Sequence, residues 1–186
     1  MITREEILAA LPEINEVQNE AWREACIAVW LEAANKSCWE KLTDAPNNLD
    51  VPEDSLVRHT RGVYSASMAL AKAMENAQSA EIDYDKLRVL CLLHDVCKIV
   101  ELEKDAAGYR KSRFGTDFPH GYYSSYLAMK HGLPEELSAA LLEHSQFVKN
   151  LPNCIEGVIQ FYADMTDADV CKFKHGSQLL ISYCKI

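Results

Sequence analysis

LRVLCLLHDVCK, residues 87–98, sets a histidine and an aspartate side by side at the end of an apolar run. Leu87, Cys91 and His94 recur at steps of four and three, which is one face of an α-helix. His94 therefore rides on a core-facing stripe. An inward imidazole or carboxylate without a partner is costly, by about several kcal/mol for an ionised carboxylate. The stretch thus predicts a buried helix together with a reason for polar groups inside it.

The same arithmetic extends outward in both directions. His59, Val63, Ala66, Leu70 and Ala73 fall on one helical face, and so do Leu137, Leu141, His144 and Val148. Asp164 ends the apolar run Val158–Ala163 one turn after Phe161, so a carboxylate is also aimed at the interior. A metal centre resolves all of these groups together. Asp167 and Asp169 lie within two turns of Asp164 and compete with it as the last ligand. His131, beside Gly132, and His175, near the C-terminus, belong at helix ends on the surface.

Apolar residues recur at three and four throughout rather than alternating, and glycine and proline are sparse, so the chain reads as all-α: one helical bundle with an extra N-terminal helical segment. Thr3 and Glu6 form a capping box for a first helix, and Pro12 interrupts it before a long helix over 15–42. Asp44–Pro52 is a loop that divides an N-terminal extension packed on the core, residues 1–52, from a metal-binding domain, residues 53–186. Asp54 or Ser55 caps the helix that runs to Ala77, and another helix spans 84–100. Residues 104–119 read as a connecting loop. Helices follow at 120–131, 134–149 and 154–171, with Gly132 at C′ and Pro134 at N1, and a short helix closes the chain toward Ile186.

The formal net charge of −9 argues against nucleic acid as a partner, because non-specific binding needs basic residues to neutralise phosphates. No stretch approaches the roughly 18 apolar residues of a membrane span, and MITREEILAALPEI lacks the basic-then-apolar order of an export signal. Seven cysteines without a CxxC pair suit a reducing cytoplasm. A small anionic metabolite is the expected partner, held where bound cations supply local positive charge, and a homodimer is compatible with a chain of this size.

The order His59, His94-Asp95, His120, His144, Asp164 resembles the HD superfamily, named for its adjacent His-Asp ligands. LLHDVCK matches the signature in which a lysine, here Lys98, follows the aspartate at the third position. RHTRGV at 58–63, PHGYYSS at 119–125, EHS at 143–145 and YAD at 162–164 look most like the bacterial HD hydrolases of symmetrical diadenosine tetraphosphate, a dinuclear branch. That resemblance implies a metal pair. His59, His94, Asp95 and Asp164 would hold one metal, His120 and His144 would serve the other, and Asp95 would bridge them. Cys97 stands where the signature usually has a small residue, and Met-Thr-Asp follows Asp164 instead of an Ile-Glu ending.

Imidazole with carboxylate suits iron and manganese first, then cobalt, nickel or zinc. Two such ions activate water for in-line attack on phosphorus, so the expected activity is hydrolysis of a phosphate ester or phosphoanhydride of a small metabolite, a nucleotide or dinucleoside polyphosphate. Asp95 and Lys98 are the expected catalytic residues. Lys98, four residues after His94, is placed to meet a phosphate oxygen, and Arg110, Lys111 and Arg113 are placed to clamp further phosphates. Tyr122, Tyr123 and Tyr126 offer either a base-stacking surface or packing. The same six ligands would also serve a di-iron oxygenase acting on an inositol or phosphonate, like those the superfamily contains, and a non-catalytic sensor is the third alternative.

Overall fold

The structure is a computed structural model and describes residues 1–144 and 151–183. It is a helical bundle: α1 (Arg4–Ala10), α2 (Glu20–Lys36), α3 (Leu56–Gln78), α4 (Tyr84–Leu93), α5 (Lys98–Glu101), α6 (Arg113–Asp117), α7 (Tyr122–Lys130), α8 (Glu135–Glu143) and α9 (Ile155–Lys174). A two-stranded hairpin, β1 (Leu102–Asp105) with β2 (Gly108–Lys111), follows α5. Among the described residues, no helix is long and apolar enough to cross a membrane.

The core is built around α4, which packs against α2, α3, α8 and α9. Val89 through Leu93 are all buried. Burying Leu90, Leu92 and Leu93 alone contributes about 5–9 kcal/mol before conformational entropy is counted, at about 1.5–3 kcal/mol per side chain. This fixes the helix that delivers His94 to the centre. The α3 stripe is rotated from the expected one. Leu56, His59, Thr60, Val63, Ser67 and Ala71 face the core, Ala66 and Leu70 are half-buried and Ala73 is exposed.

Several expected elements divide. The helix expected over 15–42 begins only at Glu20, because Asn19 caps Trp22 N–H while Asp85 accepts the backbone N–H groups of Gln18 (2.9 Å) and Asn19 (2.7 Å). It ends at Lys36, where the Ser37 hydroxyl turns back to Ala34 O. The helix expected over 84–100 breaks at His94–Cys97 into α4 and α5. The expected loop 104–119 contains most of the hairpin and all of α6. Its four-residue strands carry charged cross-strand pairs such as Glu103 with Arg110, so they show no apolar alternation.

The helix expected to start at 120 starts at Tyr122, because Gly121 adopts φ +83°. The expected helix 134–149 is α8 as far as Glu143, and residues 145–149 lie outside the described segment. Helix α9 runs on to Lys174 and closes with Ser177 N–H on Lys172 O, a Schellman-type end with Gly176 at φ +68°. The chain finishes in a 3-10 turn, Leu180–Tyr183, and the last three residues of the expected terminal helix lie outside the described residues.

Residues 1–52 lie directly on this core. Trp30 Nε1–H donates to Leu92 O at 3.0 Å and Trp39 Nε1–H to Ile99 O at 3.1 Å, so both indoles brace the segment around the His-Asp dyad.

Candidate metal centre

His94 and Asp95 come at the end of α4, where its regular hydrogen bonding gives way to a tight turn: Val96 N–H bonds Leu93 O and Lys98 N–H bonds Asp95 O. The turn strands backbone groups, and side chains of α2 and α7 take up three of them. Leu92 O is taken by Trp30. The fully buried Ser124 hydroxyl donates to His94 O and accepts from Cys97 N–H, both at 3.1 Å. A sequence spacing thus becomes a site because α2 and α7 complete the hydrogen bonding of a broken helix.

Four imidazoles then converge through their Nε2 atoms. Each is oriented by its Nδ1, which donates to a fixed acceptor: His59 to Asp167 Oδ2 (2.7 Å), His94 to Cys91 O (2.9 Å), His120 to Glu101 Oε2 (2.9 Å) and His144 to Leu141 O (2.5 Å). Those bonds set the tautomer that leaves Nε2 bare, as in metal-ligating histidines. The bare atoms approach in pairs, His59 to His94 at 3.3 Å and His120 to His144 at 3.1 Å. Two lone pairs facing each other at that distance repel unless a cation lies between them.

Asp95 stands between the pairs. Its Oδ2 lies 3.2 Å from His59 Nε2 and 3.3 Å from His94 Nε2, while its Oδ1 lies 3.2 Å from His120 Nε2 and 3.5 Å from His144 Nε2. Asp164 Oδ1 completes the first set, 3.1 Å from His59 and 3.9 Å from His94. The six expected ligands therefore fall into two donor groups, His59/His94/Asp95/Asp164 and Asp95/His120/His144. Donors sharing an ion at about 2.1 Å stand roughly 3.0–3.4 Å apart; most of these separations fall in that range, while His144–Asp95 at 3.5 Å and His94–Asp164 at 3.9 Å are wider.

The residues fit a metal on independent grounds. Both Asp95 oxygens are buried without an aligned hydrogen-bond donor. Burial alone would raise the carboxyl pKa, yet Lys98 and the surrounding imidazoles hold it well below the usual carboxylate range. For His59, burial disfavours the imidazolium, but its hydrogen bonds to Asp164, Asp167 and Asp95 outweigh it and lift the ring to about 10. His120 rises in the same way, again against burial, through its neighbours Cys97, Asp95 and Glu101. Asp164 falls to about 2 against burial, held by His59 and His94. The cluster demands positive charge, which protons or metal ions can satisfy.

A cavity of about 390 Å³ opens on Asp95, His120, His144 and Asp164. Lys98 lines it, with Nζ 2.5 Å from Asp95 Oδ2 and 2.8 Å from Asn47 Oδ1. Its side chain is half-buried, and although that disfavours the ammonium, Asp95 and Asp164 keep its pKa above the ordinary lysine value. Lys111 also lines the cavity. Arg110 and Arg113 do not. Arg110 pairs with Glu103 and Asp105 on the hairpin, and Arg113, 94% exposed, pairs with Asp117. Tyr122 and Tyr126 stack in an exposed row with Phe118, and Tyr123 is buried beside Phe114, all away from the cavity lining.

His131 pairs with Glu32 at the end of α7, and His175 caps α9, so neither joins the cluster. Asp169 accepts the backbone N–H groups of Leu180 and Ile181. Asp167 orients His59 and also binds Arg58, a role its spacing of three from Asp164 signals. Glu101, Ser124, Asn47 and Lys172 had no signal in the sequence, because each acquires its role only when distant segments meet.

The family model described as HD domain matches residues 56–169, from the first residue of α3 to Asp169, and that span holds all six converging ligands. No curated protein and no solved structure matches the chain. The chain belongs to the HD domain family.

Proposed function

We propose that this protein is a metal-dependent phosphohydrolase with two divalent ions, cleaving a phosphate ester or phosphoanhydride of a small metabolite such as a nucleotide or dinucleoside polyphosphate. The observation that carries the reading is the division of Asp95, one oxygen toward each pair of imidazoles. Iron and manganese suit these nitrogen and carboxylate donors. Bound there, divalent ions lower the pKa of water and offset charge on phosphoryl oxygens.

The chain's own residues do the rest. Asp95 spaces and screens the two positions, while Glu101 and Asp167 hold the His120 and His59 rings at fixed angles. Lys98 keeps its proton and is held by Asn47 against the cavity wall, where it meets an oxygen of the substrate phosphate. Lys111 takes more remote charge at the mouth. Arg110 and Arg113 lie outside the cavity lining and contribute little to binding.

The test is elemental analysis of protein purified without oxygen, together with a screen of phosphate esters, anhydrides and nucleotides. Two metals per chain are expected, with His120→Ala or His144→Ala losing about one of them and most of the hydrolysis. A single metal that survives both substitutions refutes the dinuclear reading. Consumption of dioxygen with an inositol or phosphonate, without phosphate release, would transfer the protein to the oxygenases.

A further inference from the structure

Lys172 is a cation of the cavity that the hydrolytic reading leaves without a role. It follows Asp164 by eight residues on α9, so Asp164, Ala168 and Lys172 succeed one another along the face that lines the cavity. Only 5% of the residue is exposed. A buried ammonium needs a partner, and Lys172 has Asp50. That carboxylate is 64% exposed on the loop between Asn47 and Asp54. The pair is asymmetric: the cation is fixed by a twenty-residue helix, and its counter-ion is solvated.

A solvated counter-ion is replaceable. Asp50 regains its hydration when it returns to water, and the buried ammonium it leaves is the group that an incoming anion then pairs. A phosphate brings more charge and several acceptor oxygens to the same ammonium. Eight residues of helix are roughly 12 Å of axis, shortened because side chains lean toward the helix N-terminus. The distance suits a second anion separated from the reacting phosphate by a carbon skeleton, and the 390 Å³ volume suits one compact molecule. Leu49, Leu102 and Leu180 add apolar surface to the cavity lining.

We propose that Lys172 forms an anion subsite for the non-reacting end of the substrate, which is then a small metabolite with two separated anionic groups, of the size of a sugar bisphosphate. The proposal rests on the phosphohydrolase reading for the reacting end only. Its signature is a pair of opposite effects. If Lys172–Asp50 merely clasps the loop to α9, removing either partner loosens the same structure. If Lys172 receives an anion, removing Asp50 frees it.

The experiment measures binding by calorimetry, and hydrolysis separately, on metal-loaded protein with fructose 1,6-bisphosphate and fructose 6-phosphate as probes. Wild type should prefer the bisphosphate. Lys172→Met should cut that preference about 10-fold or more, the scale of one lost charged hydrogen bond, Lys172→Arg should restore part of it, and Asp50→Asn should tighten the bisphosphate about 3-fold or more. No preference in wild type, equal losses on both probes in Lys172→Met, or weaker bisphosphate binding in Asp50→Asn overturns the subsite. Should Lys172→Met fail to fold, the sign of the Asp50→Asn effect decides alone. A wild type that shows the preference but hydrolyses neither probe nor any other phosphate ester counts against the hydrolase reading and leaves the subsite standing.

Discussion

Ser124→Ala removes one hydroxyl and deprives two buried backbone groups of their partners. The hydroxyl donates to His94 O and accepts from Cys97 N–H, spanning the turn that carries the His-Asp dyad. Leaving a buried donor or acceptor unsatisfied costs about 1–3 kcal/mol. Two such groups sharing one relaxing turn should cost about 3 kcal/mol together, since neighbouring effects are not additive. For a chain of this length that is a fall of about 6–12 °C in Tm. Urea unfolding followed by the fluorescence of the buried Trp30 and Trp39 measures the stability, and elemental analysis of the same sample measures metal content. Metal retention should fall with stability, because the same turn aims Asp95 at both donor groups. Ser125→Ala, one residue on and buried without a side-chain bond across the turn, is the control and should change stability by less than about 0.5 kcal/mol. A Ser124→Ala protein as stable as this control would refute the account of how the broken helix is held.

Three further outcomes follow from the geometry. Asp167→Asn, which weakens the acceptor on His59 Nδ1, should lower metal affinity about 10–100-fold while the fold survives, read by competition with a chelator. Gly121→Ala should cost about 1–3 kcal/mol and loosen the His120/His144 pair. The residue sits at φ +83° and its new Cβ would meet His144 Cε1 at 3.3 Å, so unfolding and metal counts should both change. Asp85, despite partial burial, has its pKa lowered by the Gln18 and Asn19 N–H groups and by Arg88. Because its folded pKa lies below its unfolded one, its stabilising contribution is present above the unfolded value and disappears as pH falls through the folded one. The stability gap between wild type and Asp85→Asn should therefore be widest near neutrality and narrow in acid, and a gap independent of pH would contradict this.

Periodicity located the helices where one face decides burial, and it failed where a side chain or backbone group from elsewhere decides. Leu87, Cys91 and His94 lie on a stripe that is buried as expected, yet nothing in HDVC marks the turn that ends α4, because the donors that stabilise it come from Ser124 and Trp30. The hairpin was missed because Glu103, Lys104, Arg110 and Lys111 satisfy it through charge and backbone pairing rather than through an apolar face. The histidines and aspartates were legible as a set because burying so many polar groups in one small core requires a shared partner. Arg110 and Arg113 were read as free cations since their positions in the chain do not reveal the facing carboxylates.

The acidic balance of the chain gains a structural meaning from the cavity. A protein of net charge −9 repels anions at long range, so the phosphate recognition proposed above would have to be local. Lys98 and Lys172 would be that local charge, and each is paired with a carboxylate that also belongs to the site's surroundings: Asp95 for Lys98, Asp50 for Lys172. A cation held this way costs less to bury than a free one and remains available to a ligand with a higher charge density. Divalent ions held at the two donor groups, as proposed, would add to the same field. An interior so charged would favour a small polyanion while the acidic exterior repelled it, which would select for molecules small enough to leave the surface behind and enter.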